Sequence, residues 1–270
     1  MLISATNIIS KSFDLYKKHA ILYIKYMLIM LIPTGLVAIM SSIVGPSFLA
    51  VASFGFAWTI VLYVFIMLFG SVASIWISLA LIRAIRDNYL GQAGQPIKTE
   101  LKNSSKLLLA AIVASILVSF ITIGGFILLI VPGIIFAVWF SFSIYGIAIE
   151  EHDPILALKD SKNLVFGRWW AVLWRIVGPA IFFAFIAMAI QWLVSIPVNM
   201  LDNTMLENTY GYYFIAGFLA LVNLCVTLII TPLSTAAPTI LYLELKKTPI
   251  EKNNPSHPDH IDEISEPPVE

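Results

Sequence analysis

Six predominantly apolar runs, at 20–43, 53–86, 106–124, 128–149, 169–194 and 212–244, dominate this chain, and charge falls between them or near their ends. A helix that crosses a bilayer needs about 20 mostly apolar residues. Lipid offers no partners to backbone N–H and C=O groups, so a spanning segment must satisfy them within a helix or a closed barrel. Runs of this length dictate an all-α, polytopic helical bundle with six transmembrane helices. Composition agrees: 59% of the 270 residues are hydrophobic, only 12% are charged, and mean hydropathy is +0.90. An ordinary globular domain is about half apolar and a quarter charged, so there are too few charges here to coat a water-soluble surface.

Two runs need comment. The stretch 47–86 is long enough for two spans, but Gly55 and Gly70 are its only breaks. A tight turn inside lipid would leave backbone groups unsatisfied. It reads as one long, tilted helix behind a short apolar loop, with a broken pair as the alternative. The stretch 106–149 is too long for one span, and Gly124, Gly125, Pro132 and Gly133 supply the breakers that turn it into a hairpin.

Charge sets the orientation. With the N-terminus inside, all sixteen Lys and Arg residues fall in inner segments or at inner helix ends. The predicted outer loops, near 44–52, 125–127 and 195–211, hold no basic residue and only Asp202 and Glu207 as acids. That segregation follows the positive-inside rule and places both termini in the cytoplasm. Met1 to Ser10 lacks the basic start of a cleavable signal, so the expected destination is the cell membrane, as a multi-pass protein. The membrane domain covers 1–248. The tail 249–270 is acidic, proline-rich and nearly devoid of apolar residues, which predicts disorder. His257 and His260 in that tail read as solvated rather than metal-binding.

A short pattern precedes three of the spans. Ile9, Ser12, Leu15 and Tyr16 form one copy, Leu101, Ser104, Leu107 and Leu108 the second, and Leu158, Ser161, Leu164 and Val165 the third. On a helix each set falls on one face, where a small serine permits close approach. The pattern predicts three cytoplasmic juxtamembrane amphipathic helices and a threefold parallel internal repeat, with chance similarity as the alternative. Bracing of the bundle at the inner headgroups is the favoured role. The third copy carries clear end signals: Asp153 as N-cap, Pro154 in the first turn, and Gly167 for a left-handed C-terminal turn.

Val131-Pro132-Gly133-Ile134-Ile135-Phe136-Ala137-Val138-Trp139, then Glu150, Pro154-Ile155-Leu156-Ala157-Leu158, Ser161, Leu164 and Gly167-Arg168-Trp169-Trp170 resemble one family. Leu81-Ile82-Arg83-Ala84 with Gly94, Pro96 and Leu101 resembles it too, so the likeness covers roughly 80–175. The family is the membrane domain attached to some bacterial glycerophosphodiester phosphodiesterases, which also occurs free-standing as six-span membrane proteins. The resemblance implies architecture rather than chemistry. In the two-part proteins activity belongs to a separate soluble barrel with a histidine pair and metal-binding carboxylates. This chain has no room for that barrel, and its histidines, His19, His152, His257 and His260, are scattered.

Few groups suggest chemistry. Lys25 lies roughly 7 Å inside its span at 1.5 Å per residue, and Arg175 slightly deeper, so both reach the inner headgroups by snorkelling. With Glu150 and Arg168 they form the candidate mouth for an anion or lipid headgroup, weighed against ordinary interfacial anchoring. Asn223, Thr227 and Thr231 fall four apart on one face of the last span, followed by Pro232 and Pro238. They are candidates for lining a substrate path, although such residues more often hydrogen-bond between helices. No phosphate-binding glycine loop, zinc-binding His-Glu-x-x-His or nucleophile elbow occurs. A lone Cys225 excludes an internal disulfide, and zero net charge gives no case for nucleic acid. The expectation is a non-catalytic membrane module with no cofactor and no metal. Its partners are membrane lipids, and a protein partner or a second copy of the chain. The alternative is a small-molecule or lipid permease or exporter. An enzyme of lipid metabolism working through Glu150 or His152 is the weakest reading.

Overall fold

The computed structural model describes residues 2–44, 56–200 and 209–248. The described chain is helical: α1 (Ala5–Lys18), α2 (Ala20–Val44), α3 (Phe56–Tyr89), α4 (Ile97–Leu128), α5 (Ile130–Trp139), α6 (Ser143–Glu150), α7 (Pro154–Val165), α8 (Trp169–Met200) and α9 (Thr209–Lys247). Six stretches are long and apolar enough to cross a membrane: Ala20–Ser41, Ile60–Tyr89, Ile97–Leu128, Ile130–Glu150, Trp169–Val194 and Gly217–Lys247. This is an all-α polytopic bundle. α3 runs unbroken from Phe56 to Tyr89, while 47–55 and the proposed tail lie outside the described residues.

Lipid as solvent explains where the core lies. Long stretches of α2, α3, α4, α8 and α9 present Ile32, Phe65, Phe120, Phe185 and Leu221 outward. Such helices, apolar all round, are stable only where both surroundings and interior are apolar. Packing concentrates instead at the basic end of the bundle. There α3 buries Ile77 and Leu79 to Ile85, and α9 buries Leu233, Ala236, Ala237, Ile240 to Leu243 and Leu245. α9 packs against α1, α2, α3 and α8, so it joins the hairpin α2–α3 to the last two spans.

The serine pattern marks buried faces. Ser12, Ser104 and Ser161 are all buried, with Leu15, Leu107 and Leu158 beside them. α1 and α7 are separate helices, whereas the middle copy is continuous with its span as the start of α4. α1 begins with Ser4 Oγ accepting from the Asn7 N–H at 3.2 Å and ends on Lys17 and Lys18, which complement the helix dipole. In α7, Asp153 Oδ1 accepts from the Leu156 N–H at 2.8 Å, Pro154 opens the helix, and Gly167 follows its end at φ +84°.

The hairpin α4–α5 corrects the expected role of its glycines. The helix continues through Gly124 and Gly125 to Leu128, and the chain turns at Leu129, the extended residue between the two helices. Pro132 lies in the first turn of α5, where a missing N–H costs nothing. Gly125 and Gly133 serve close approach: a Cβ on Gly125 would lie 2.9 Å from the Gly133 Cα. The fourth span is also interrupted, because α5 stops at Trp139 and α6 starts only at Ser143.

Candidate functional site

Polar chemistry gathers at the basic end, in three neighbouring networks. In the first, α3 carries Arg83 and Arg86 to the end of α6. Arg83 Nε donates to Glu100 Oε2 at 3.0 Å, and its Nη1 donates to Glu151 Oε1 at 2.9 Å and to the Ala148 carbonyl at 3.3 Å. Arg86 Nη1 donates to the Ile149 carbonyl at 3.2 Å, and its Nε to Asp87 Oδ1 at 2.8 Å. The two arginines thereby satisfy last-turn carbonyls of α6, the negative end of its dipole. Glu100 is buried in the first turn of α4, where the helix N-terminus favours its charge. Glu151 closes α6 in the left-handed region at φ +59°.

The second network joins α6, α7 and α9. The Tyr242 hydroxyl donates to Glu150 Oε1, and Lys246 Nζ donates to Glu150 Oε2 at 2.8 Å. His152 lies between two carboxylates, with Nε2 3.3 Å from Glu150 Oε2 and Nδ1 3.2 Å from Asp160 Oδ2. Neither approach has hydrogen-bond alignment, and Nδ1 is buried with no hydrogen-bond partner among the described residues. Glu150, His152 and Asp160 offer ligand atoms within 4.8 Å of one another, so these residues could hold a metal ion. Lys246 already supplies a cation to the Glu150 carboxylate.

The third network links the two ends of the chain to α3. Lys11 Nζ donates to the Tyr89 hydroxyl at 2.8 Å, and that hydroxyl donates to Glu244 Oε1 at 2.8 Å. Lys247 Nζ reaches the same oxygen at 3.0 Å. Lys11 and Lys247 also lie 5.3 and 5.4 Å from the Tyr89 ring centroid, close enough for cation–π attraction.

The four residues of the expected anion mouth make separate contacts. Glu150 belongs to the second network. Arg168 Nε donates to the Leu164 carbonyl at 2.8 Å, Nη1 to the Thr248 carbonyl at 2.6 Å, and Nη2 to the Leu245 carbonyl at 3.1 Å. Burial pulls the Arg168 guanidinium below its ordinary value, yet arginine remains charged. Arg175 Nε donates to the Ile3 carbonyl at 2.5 Å and Nη1 to the Ala171 carbonyl at 2.7 Å, so it pins the N-terminal segment to α8. Lys25 is exposed on α2.

On α9, Asn223, Thr227 and Thr231 do form one ladder. Thr227 Oγ1 donates to the Asn223 carbonyl at 2.9 Å and Thr231 Oγ1 to the Thr227 carbonyl at 2.7 Å. Gln191 Nε2 on α8 donates to Asn223 Oδ1 at 3.1 Å, beside a cavity of about 110 Å³. Larger than this is an apolar groove of about 570 Å³ between α5 and the α7–α8 corner, lined by Val131, Ile134, Ile135, Trp139, Trp169 and Leu173 among others.

The sequence marks Arg83 and Lys246 only as inner-side charges and gives no sign of what Asp87, Asp160 and Tyr242 contact. One signal exists: Glu100 stands between Lys98 and Lys102 just ahead of the third span, an acid at the start of a helix. No family model, curated protein or solved structure matches the chain.

Proposed function

We propose that this protein is a non-catalytic integral membrane module that organises lipid or a partner protein at the inner leaflet of the cell membrane. Both termini are cytoplasmic in this reading. The observation that carries it is the use made of charge: Arg83, Arg86, Arg168 and Arg175 each hold backbone carbonyls, and Glu100 and Glu150 pair across helices with Arg83 and Lys246. Such groups fix a platform of helix ends rather than stand ready to turn over a substrate. The segregation of basic residues supports the cytoplasmic placement of that platform, and the resemblance to a membrane domain that accompanies a separate catalytic barrel supports an accessory role. Native mass spectrometry of protein extracted gently from its own membrane tests the reading. Retention of phospholipid or of a stoichiometric protein is expected, and release of a bare monomer overturns it. A reporter fused after Leu206 should report the outer side, and a cytoplasmic signal there would sink the six-span orientation.

The Gln191–Asn223 contact beside its cavity is the observation that favours a permease or exporter. Asn223→Ala with Thr227→Val discriminates. Loss of a transmembrane flux with the fold intact supports transport, whereas lower thermal stability alone supports helix packing.

A further inference from the structure

The groove beside α5 has the form of a lipid site. α5 is short, its end at Trp139 is followed by a turn, and Gly167 at φ +84° redirects the chain sharply from α7 into α8. Phe166, Trp169 and Trp170 line the groove between α5 and the α7–α8 corner. Its walls are almost wholly apolar, and its volume of about 570 Å³ lies in the range of small-molecule sites, about 300–1,000 Å³. From Val131 to Trp139 the α5 wall measures about 12 Å at 1.5 Å per residue. That approaches the depth of one hydrocarbon leaflet, about 15 Å, half of the core thickness.

Two polar groups lie beside this apolar lining. Lys162 Nζ lies 4.7 Å from the centroid of the Trp139 ring, one of the groove walls. The indole N–H of Trp169, another lining residue, is buried and finds no acceptor among the described residues. A buried donor left unpaired costs about 1–3 kcal/mol, a cost that an acceptor from outside the chain would remove. An ammonium and an indole N–H beside an apolar slot match a phosphate above an acyl chain.

Resting on the lipid-organising reading above, we propose that this groove binds one glycerophospholipid, its acyl chain along α5 and its phosphate at Lys162 and the Trp169 N–H. The test titrates the full chain, purified in a mild detergent, with phosphatidylglycerol that carries bromine atoms on one acyl chain, and follows tryptophan fluorescence. Trp139, Trp169 and Trp170 line the groove, so quenching should saturate near one lipid per protein. Ile135→Phe, which fills the slot, should abolish the saturable phase, and Lys162→Gln should weaken binding about fivefold. Leu173→Phe repeats the block from the opposite wall if Ile135→Phe does not fold. Quenching that rises in proportion to lipid without saturating, or that survives both blocking variants, shows ordinary annular contact and overturns the site. Loss of the site with phospholipid still retained in native mass spectrometry leaves the module reading standing. Retention of neither lipid nor a partner protein removes both.

Discussion

Ser161 on α7 closes the gap that the fourth span leaves at Phe142. Its hydroxyl accepts from the Phe142 N–H at 3.0 Å and donates to the Trp139 carbonyl at 2.6 Å. These are backbone groups stranded where α5 ends before α6 begins, deep in the packed end of the bundle. One side chain thus performs on both sides of the break what a continuous helix would have done. Ser12, at the same place in its own copy of the pattern, instead donates to the Ile8 carbonyl of its own helix at 2.8 Å.

That contrast gives the first prediction. Ser161→Ala leaves a buried N–H and a half-buried carbonyl without their partner, which should cost about 1–3 kcal/mol. Ser12→Ala removes only a second bond to a carbonyl that the helix already satisfies, and should cost less than about 1 kcal/mol. Unfolding in mixed micelles of increasing denaturing detergent reads both. Equal losses would show that the serines matter only for their size.

Arg83 and Glu100 form a buried pair, with Glu100 1% exposed. Removal of one partner from such a pair strands a charge and costs about 3–5 kcal/mol, whereas replacing both by apolar residues is often neutral or stabilising. Arg83→Met and Glu100→Met should each destabilise strongly, and the double variant should recover most of the loss. Glu151, the other carboxylate on Arg83, has a side chain 61% exposed, so water can solvate it once the arginine is gone. A double-mutant cycle on thermal unfolding provides the measurement, and additive losses would place the energy elsewhere.

Local signals account for what the chain discloses in advance. Run length and hydropathy specify six spans because a bilayer imposes a length, and Asp153, Pro154 and Gly167 specify the ends of α7 because caps act within a few residues. The polar networks have no such signature. Arg83 meets the Ala148 carbonyl 65 positions away, and Glu150 meets Tyr242 92 positions away, so each charge in isolation resembles an anchor at the membrane surface. The break after Trp139 was equally silent, since Phe140-Ser141-Phe142 contains neither glycine nor proline. Glycines are ambiguous in a different way, because the same residue permits a turn or a close helix contact.

Arg168 fixes the end of α9 through the Leu245 and Thr248 carbonyls while also holding Leu164 at the end of α7. Arg168→Lys keeps the charge but cannot fork toward three carbonyls. Hydrogen bonds to charged groups contribute about 1.5–3 kcal/mol, so amide exchange in the last turn of α9 should accelerate by about tenfold or more in Arg168→Lys and further in Arg168→Ala. Exchange unchanged from the parent would show that the last turn is held by its own helix bonds alone.

Gly124 and Gly125 are neighbours in sequence, yet their substitutions should act in opposite directions. A Cβ on Gly124 meets nothing within 4 Å, and helical alanine is favoured over glycine by about 1 kcal/mol. Gly124→Ala should therefore be neutral or stabilising. A Cβ on Gly125 would lie 2.8 Å from the Phe136 ring and 2.9 Å from the Gly133 Cα, the second of which is backbone and cannot swing aside. Gly125→Ala should push α4 and α5 apart and destabilise by about 1–3 kcal/mol, as overpacking does. Gly133→Ala faces the Phe126 ring at 2.5 Å and should behave like Gly125→Ala. If both Gly124→Ala and Gly125→Ala destabilise to the same degree, the pair acts as a turn and the helix does not continue to Leu128. If only Gly125→Ala and Gly133→Ala do so, the hairpin is held by contact between two glycine backbones.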